Sequence, residues 1–256
     1  MSAPSVATRR RSPFAQLLLT ESRLALREPV TVVVGLALPL VLLLVFAAIP
    51  KFHEHQAALG GLTTLDVYVP ILITFILAVI ALTLMPPRLA TYRDQGVLRR
   101  MATTPVHPSR LLAAQLVINL ATAAAGIILM LIVSTAAFDV RPPQSPAGFV
   151  LAVVLTAASL FAIGLWITAV ARSSQMASAF GAMFFFPLMF FAGLWVPRPL
   201  MPSALRGVSD YTPLGASVQA MQSAMQGAFS PARALLVLAA YGIVFAALAV
   251  RQFRWE

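Results

Sequence analysis

The chain has 256 residues, of which 60% are hydrophobic and 10% are charged. A soluble domain carries roughly 25% charged residues, and eight acidic and eighteen basic residues are too few to give a hydrated surface to a domain of this size. The mean hydropathy of +0.89 therefore indicates an integral membrane protein whose main solvent is lipid. The lack of cysteine excludes disulfides, thiolate metal sites and cysteine nucleophiles.

Residues 1–29 are predicted to be a cytoplasmic tail followed by an interfacial helix. In the segment PFAQLLLTESRLALRE, polar Gln16, Thr20, Arg23 and Arg27 recur at helical spacing, and leucine and phenylalanine occupy much of the other face. This pattern is typical of an amphipathic helix that lies in the membrane interface.

The rest of the chain, residues 30–256, is predicted to be a six-span transmembrane domain. Each apolar run approaches or exceeds the ~20 residues that a helix needs to cross the hydrocarbon layer, and helices satisfy their own backbone hydrogen bonds there. We therefore expect an all-α membrane protein. The predicted spans cover about 30–49, 67–86, 110–136, 147–171, 174–196 and 232–250.

The distribution of basic residues predicts that both termini are cytoplasmic. With the N-terminus inside, the inner segments hold 13 Lys and Arg residues and the outer segments hold 5, which agrees with the positive-inside rule. The net charge of +10 thus comes mainly from arginines that flank the spans. No basic stripe alternates with aromatic residues on a polar surface, so we expect no nucleic-acid binding.

The loop 86–110 is the longest predicted cytoplasmic connection and a candidate docking surface. It mixes cationic Arg93, Arg99 and Arg100 with apolar Leu98 and Met101, a combination that suits contact with a soluble partner. The alternative is a simple positive anchor at the inner face. His53, His55 and His107 lie between apolar runs, so no metal site is predicted inside the membrane.

Some residues within the predicted spans are candidates for a functional surface inside the membrane. Bulky side chains crowd the fifth span, and the third span contains an asparagine; these could line a path for apolar cargo or simply face lipid. The candidates are Asn119, Phe185, Phe186, Met189 and Phe190. The stretch Gly215-Ala-Ser217-Val is similar to an intramembrane serine protease motif, but no span contains a histidine base, so we reject that interpretation.

Two blocks resemble one family. Gly96-Val-Leu-Arg-Arg-Met-Ala-Thr-Thr-Pro105-Val-His-Pro108 resembles the cytoplasmic loop of type-2 ATP-binding-cassette (ABC) exporter permeases of the daunorubicin and multidrug efflux kind. Phe186-Pro187-Leu-Met-Phe-Phe-Ala-Gly193-Leu-Trp-Val-Pro197, with the proline-rich stretch after it, resembles the fifth span and external segment of that family. Ala192 replaces the common serine of a Ser-Gly pair.

The resemblance implies a permease that depends on a separate ATPase dimer, which would bind the ATP and Mg, so no cofactor is expected in this chain. The single lysine, Lys51, lies on the predicted outside and in no phosphate-binding loop. The resemblance also implies two permease chains in a bacterial plasma membrane, expected to form a homodimer although a heterodimer remains open, and an external segment that re-enters the membrane before the last span. The ATPase contacts that it implies are Arg23, Arg27, Arg93, Gly96, Leu98, Arg99, Arg100, Thr104 and Pro105.

The expected cargo is hydrophobic or amphipathic: a drug, an antibiotic or a lipid-like molecule. Alternatives are a polysaccharide or lipid exporter of the same fold and a non-transporting membrane assembly protein. A secondary transporter is a weaker alternative, because no span has an acid or base near its centre and no internal repeat is visible.

Overall fold

A computed structural model of the chain describes residues 33–59, 61–95 and 109–252. This part is helical and contains no β-strand beyond the isolated bridge between Gln56 and Leu62. Its main helices are α1 (Val33–Ala47), α2 (Thr64–Asp94), α3 (Ser109–Phe138), α4 (Pro146–Val170), α5 (Ser174–Ala192), α6 (Ser203–Ser209), α7 (Pro213–Met225) and α8 (Ala232–Gln252).

Five of these helices, α2, α3, α4, α5 and α8, are long and apolar enough to cross a membrane. Large apolar side chains remain exposed on them, for example Ile132 at 56% and Ile243 at 71%, as expected for surfaces that face lipid. The prediction of an all-α membrane protein is confirmed. The count of six spans stays a prediction, because the described part of α1 is a shorter apolar helix. The interfacial helix predicted within 1–29 lies outside the described residues.

Helix α2 forms the core of the bundle, and its most apolar stretch is almost completely buried. It begins with a capping box, in which the Thr63 hydroxyl accepts from the Asp66 N–H and the Asp66 carboxylate accepts from the Thr63 N–H. Its next residues are apolar on every face, a pattern typical of a helix surrounded by others. α2 therefore contacts α1, α3, α4, α5 and α7.

Helix α2 also continues to Asp94, beyond the end of the predicted span at about 86. A π-helical segment, Val79–Leu84, changes the register of the backbone hydrogen bonds ahead of Pro86 and Pro87. Both prolines then fall in the first turn of the following α-helical part, where proline costs little. The apolar run ends near 86, but the helix itself does not.

Helix α5 ends earlier than predicted, at Ala192 instead of 196. Gly193 has φ of +95° and caps the helix in the left-handed conformation, which glycine adopts without strain. The chain then turns into α6 and α7. Helix α7 buries Val218 and Met221 completely and packs against α2, α4, α5 and α8.

Candidate coupling site and transport path

Arg93, a predicted ATPase contact, lies in the last turn of α2 and binds the end of α4. Its guanidinium donates to the Thr168 carbonyl oxygen at 3.4 Å and also to the Ala171 carbonyl oxygen. The last carbonyls of a helix lack partners within that helix and form the negative end of its dipole. Arg93 therefore supplies both hydrogen bonds and a matching charge to the carboxyl end of α4.

Asp94 makes the complementary contact with α5. Its Oδ2 accepts a hydrogen bond from the backbone N–H of Ser174 at 2.9 Å, and Ser174 is the first residue of α5. Helix amino ends carry the positive end of the dipole and favour an anion. The Ser173 hydroxyl caps the same helix by accepting from the Met176 N–H at 3.2 Å. Asp94 and the Ser173 hydroxyl together satisfy two of the unpaired N–H groups in the first turn of α5.

Arg93 and Asp94, with their backbone partners on Thr168, Ala171 and Ser174, are called here the Arg93–Asp94 clamp. Two adjacent residues with opposite charge hold the opposite ends of two consecutive helices, on either side of the short turn 171–173. Asp94 was not among the predicted site residues. The dipeptide is visible in the sequence, but its partners lie about 75 to 80 positions away.

The other predicted ATPase contacts lie outside the described residues and remain predictions. They are Arg23, Arg27, Gly96, Leu98, Arg99, Arg100, Thr104 and Pro105. Helix α2 ends at Asp94, so the Arg93–Asp94 clamp lies within the predicted docking loop 86–110 and directly precedes the predicted contacts from Gly96 onward.

Two glycines bring α4 and α5 against the backbone of α2. A Cβ atom at Gly164 would lie 2.1 Å from the Ala81 carbonyl oxygen, and one at Gly181 would lie 2.2 Å from that of Leu82. Both oxygens belong to the π-helical segment. Only glycine permits such an approach, so α2 is in direct backbone contact with the same two helices that its end clamps.

The five path candidates do not share one surface. Phe185 and Met189, one turn apart on α5, are buried, and the Phe185 ring packs edge-on against Phe75 of α2 with centroids 5.5 Å apart. Phe186 is 58% exposed, and Phe190 is partly exposed. Phe185 and Met189 therefore face the helix bundle, whereas Phe186 does not.

Asn119, the fifth candidate, is buried on α3 and bonds within its own helix. Its amide donates to the Gln115 carbonyl oxygen at 2.8 Å. The Gln115 side chain in turn donates to the Tyr92 hydroxyl at 3.2 Å. These polar residues join α3 to the last turns of α2, close in sequence to the Arg93–Asp94 clamp.

Ser217 links α7 to two long helices through buried hydroxyl groups. Thr156 of α4 donates to Ser217 Oγ at 2.9 Å, and Ser217 Oγ lies 3.0 Å from Thr74 Oγ1 of α2. Thr74 also donates to the Met221 sulfur at 3.8 Å. All three hydroxyl residues are fully buried. The rejected protease motif thus contains a hydrogen-bonded anchor, which the sequence did not indicate.

A second polar cluster fastens the segment before α7 to both neighbouring helices. The buried Asp210 carboxylate forms ion pairs with Arg198 and with Arg233 of α8. The Ser209 hydroxyl donates to the Phe191 carbonyl oxygen of α5 at 2.7 Å. Burial, and then the neighbouring guanidinium groups of Arg233 and Arg206, lower the pKa of Arg198. The Asp210 carboxylate is therefore the counter-charge that both Arg198 and Arg233 use in this cluster.

These features define a polytopic helical membrane protein in which a central helix, α2, binds the connected ends of two others and an accessory helix, α7, is anchored inside the bundle. The family model described as ABC-2 type transporter matches residues 13–226. The chain therefore belongs to the ABC-2 type transporter family and is a permease subunit of an ABC transporter, a transport component that is not itself an ATPase. A search of curated proteins found no match.

Proposed function

We propose that the chain is the transmembrane subunit of an ATP-driven exporter, working as a homodimer with a separate ATPase dimer that binds ATP and Mg. The observation that carries this proposal is the Arg93–Asp94 clamp. It lies within the loop 86–110 that is expected to dock the ATPase, next to the predicted contacts from Gly96 onward, and it binds both α4 and α5. A displacement of the loop would therefore move three helices together instead of one.

The cargo proposed is hydrophobic or amphipathic. Phe185 and Met189 support it, because they present buried apolar surface toward the centre of the bundle. We further propose that α7 re-enters the membrane from outside. In support, its Ser217 bonds to Thr156, which lies near the middle of the 25-residue α4. The proposed location is a bacterial plasma membrane with both termini in the cytoplasm, supported by the 13 to 5 bias of basic residues.

The test is transport in proteoliposomes that contain the permease together with the ABC ATPase with which it co-purifies. Arg93→Ala removes the guanidinium from the end of α4, and we expect ATP turnover to continue while ATP-dependent transport falls. Arg251→Ala is the matched control, because Arg251 is exposed in the last turn of α8. Charge reversal at Arg99 and Arg100 should likewise uncouple turnover from transport and leave membrane insertion intact.

Failure to bind any ABC ATPase would contradict the proposal. Transport that is unchanged in Arg93→Ala would contradict the coupling role of the Arg93–Asp94 clamp. ATP-dependent transport of a polysaccharide would support the proposed coupling to an ATPase but contradict the proposed hydrophobic or amphipathic cargo.

A further inference from the structure

A cavity of about 320 Å³ with a mixed polar and apolar lining lies at the end of the bundle opposite to the Arg93–Asp94 clamp. It is open to solvent on one side and is lined by the loop after α1, the start of α2, the loop between α3 and α4, and the end of α7. Its polar lining consists of His55, Asp66, Arg141, Gln144, Gln222 and Gln226. A volume of this size accommodates a small organic group.

The cavity contains opposite charges that do not pair with each other. Asp66 Oδ2 accepts from the Thr63 N–H at 3.0 Å and from the Thr63 hydroxyl at 2.7 Å, while Oδ1 has no hydrogen-bond partner in the described part of the chain. The Arg141 guanidinium forms neither a hydrogen bond nor an ion pair within the same described residues. One carboxylate oxygen and a whole guanidinium are thus available to a ligand.

The surrounding amides add both donors and acceptors. Gln222 uses its amide N–H to reach the Val67 carbonyl oxygen at 3.3 Å, and Gln144 uses its own to reach that of Pro142 at 3.2 Å. In the described part of the chain neither amide oxygen accepts a hydrogen bond, so each can accept one from a ligand ammonium or hydroxyl. Guanidinium groups favour phosphate, which they bind through two parallel hydrogen bonds.

We propose that this cavity binds a zwitterionic group in which an ammonium lies a few atoms from a phosphate. The phosphate contacts Arg141, and the ammonium contacts Asp66 and the amide oxygens. Such a ligand satisfies both charges at once, whereas a simple anion or cation leaves one of them without a partner. The cavity lies where α2 and α4 begin and α7 ends, and helix ends are where polar headgroups meet a membrane protein.

The ligand accordingly belongs to the phosphoethanolamine class, either as a lipid headgroup or as a free molecule. Its identification as cargo on the outward side rests on the proposed function, but binding itself does not require an ATPase. If the chain binds phosphoethanolamine but its transport is not coupled to an ATPase, the proposed function is overturned and the binding site is retained. If ATP-driven transport is observed but phosphoethanolamine does not bind, the binding site is overturned and the proposed function is retained.

The first experiment is calorimetric titration of the purified full chain, in a neutral detergent, with phosphoethanolamine. We expect saturable binding that Arg141→Gln and Asp66→Asn each weaken by at least about tenfold, since each removes a charge-assisted contact. Lys51→Gln is the matched control: Lys51 is exposed at the same end of the bundle and does not line the cavity. Its affinity should equal that of the unmodified chain.

Arg141→Gln keeps the test decisive even if Asp66→Asn perturbs the capping box, because Arg141 is an exposed loop residue. Equal binding of inorganic phosphate, ethanolamine or glycerol would overturn the zwitterion assignment. An equal loss of affinity in Lys51→Gln would also overturn it, because it would indicate general electrostatic attraction.

Thermal unfolding in nanodiscs of phosphatidylethanolamine or of phosphatidylglycerol distinguishes a lipid headgroup from a free ligand. If the Tm of the chain rises more in phosphatidylethanolamine than in phosphatidylglycerol, and Arg141→Gln abolishes that difference, the ligand is a lipid headgroup. If soluble phosphoethanolamine binds but the two lipids give the same Tm, the ligand is a free molecule.

Discussion

The Asp94 carboxylate accepts a hydrogen bond from the backbone N–H of Ser174, at 2.9 Å, across the point where α2 meets the start of α5. Arg93, next to it, binds the end of α4. Each charge has the sign that favours the helix end it touches. One dipeptide therefore fixes the position of the 171–173 turn relative to the last turn of α2.

The first prediction concerns Asp94→Ala. This variant removes an anion and an acceptor from the amino end of α5, and we expect a loss of about 0.5 to 1 kcal/mol of stability, modest because Asp94 is exposed. Asp94→Asn keeps an acceptor and should lose less. The measurement is thermal unfolding in detergent, with Asp139→Asn, in the exposed loop after α3, as the control. If Asp94→Ala and the control gave the same Tm, the contact would have no energetic role.

The second prediction concerns the glycines that contact the π-helical segment. Gly164→Ala or Gly181→Ala would place a Cβ atom within 2.2 Å of a backbone oxygen. Because neither backbone can yield without moving a helix, we expect a loss of about 1 to 3 kcal/mol or more, with reduced yield of folded protein.

Gly207→Ala is the matched control for these variants, since a Cβ atom there would have no neighbour within 4 Å. Size-exclusion profiles and Tm values in the same detergent would compare the three proteins. A fully stable Gly164→Ala would mean that α2 and α4 are further apart than described.

Most of the helices could be predicted from the sequence, because a lipid-exposed backbone must satisfy its own hydrogen bonds and apolar runs of ~20 residues report that requirement. The positions at which the helices end were harder to predict from the sequence. The α2 helix continues past its apolar run to Asp94, and α5 stops at Gly193 because of one positive φ angle. Hydropathy reports neither a helix that extends beyond the lipid nor a left-handed cap.

The site could be predicted only in part. Arg93 was selected from a cationic loop, but its partners at Thr168 and Ala171 depend on tertiary packing. Ser217 and Thr156 are 61 positions apart, and each looks like an ordinary small polar residue in an apolar context. Pairings of this kind follow from how helices are arranged, which the pattern of one sequence does not contain.

The third prediction tests the Ser217 anchor. Ser217→Ala leaves the Thr156 hydroxyl without its acceptor in a fully buried position, so we expect a loss of about 1 to 3 kcal/mol. Combining it with Thr156→Val removes the unpaired hydroxyl and should restore part of that loss. Ser178→Ala, on the exposed face of α5, is the control. Strictly additive effects of Ser217→Ala and Thr156→Val on Tm would argue against the hydrogen bond.

The fourth prediction concerns Asp210. The Asp210→Asn substitution leaves Arg198, whose side chain is 12% exposed, without its counter-charge and next to Arg233 and Arg206. Loss of one partner of a buried ion pair typically costs about 3 to 5 kcal/mol. Arg233→Gln should cost much less, because the Arg233 side chain is 49% exposed and the Arg198 pair survives.

Thermal unfolding and limited proteolysis of the segment 197–212 would measure both effects, with Lys51→Gln as a control for loss of an exposed positive charge. We expect Asp210→Asn to expose the segment to protease while α2 stays protected, because the Ser217 anchor does not depend on Asp210. Equal Tm values for Asp210→Asn and Arg233→Gln would show that the charge of Asp210 does not hold this segment on α5 and α8.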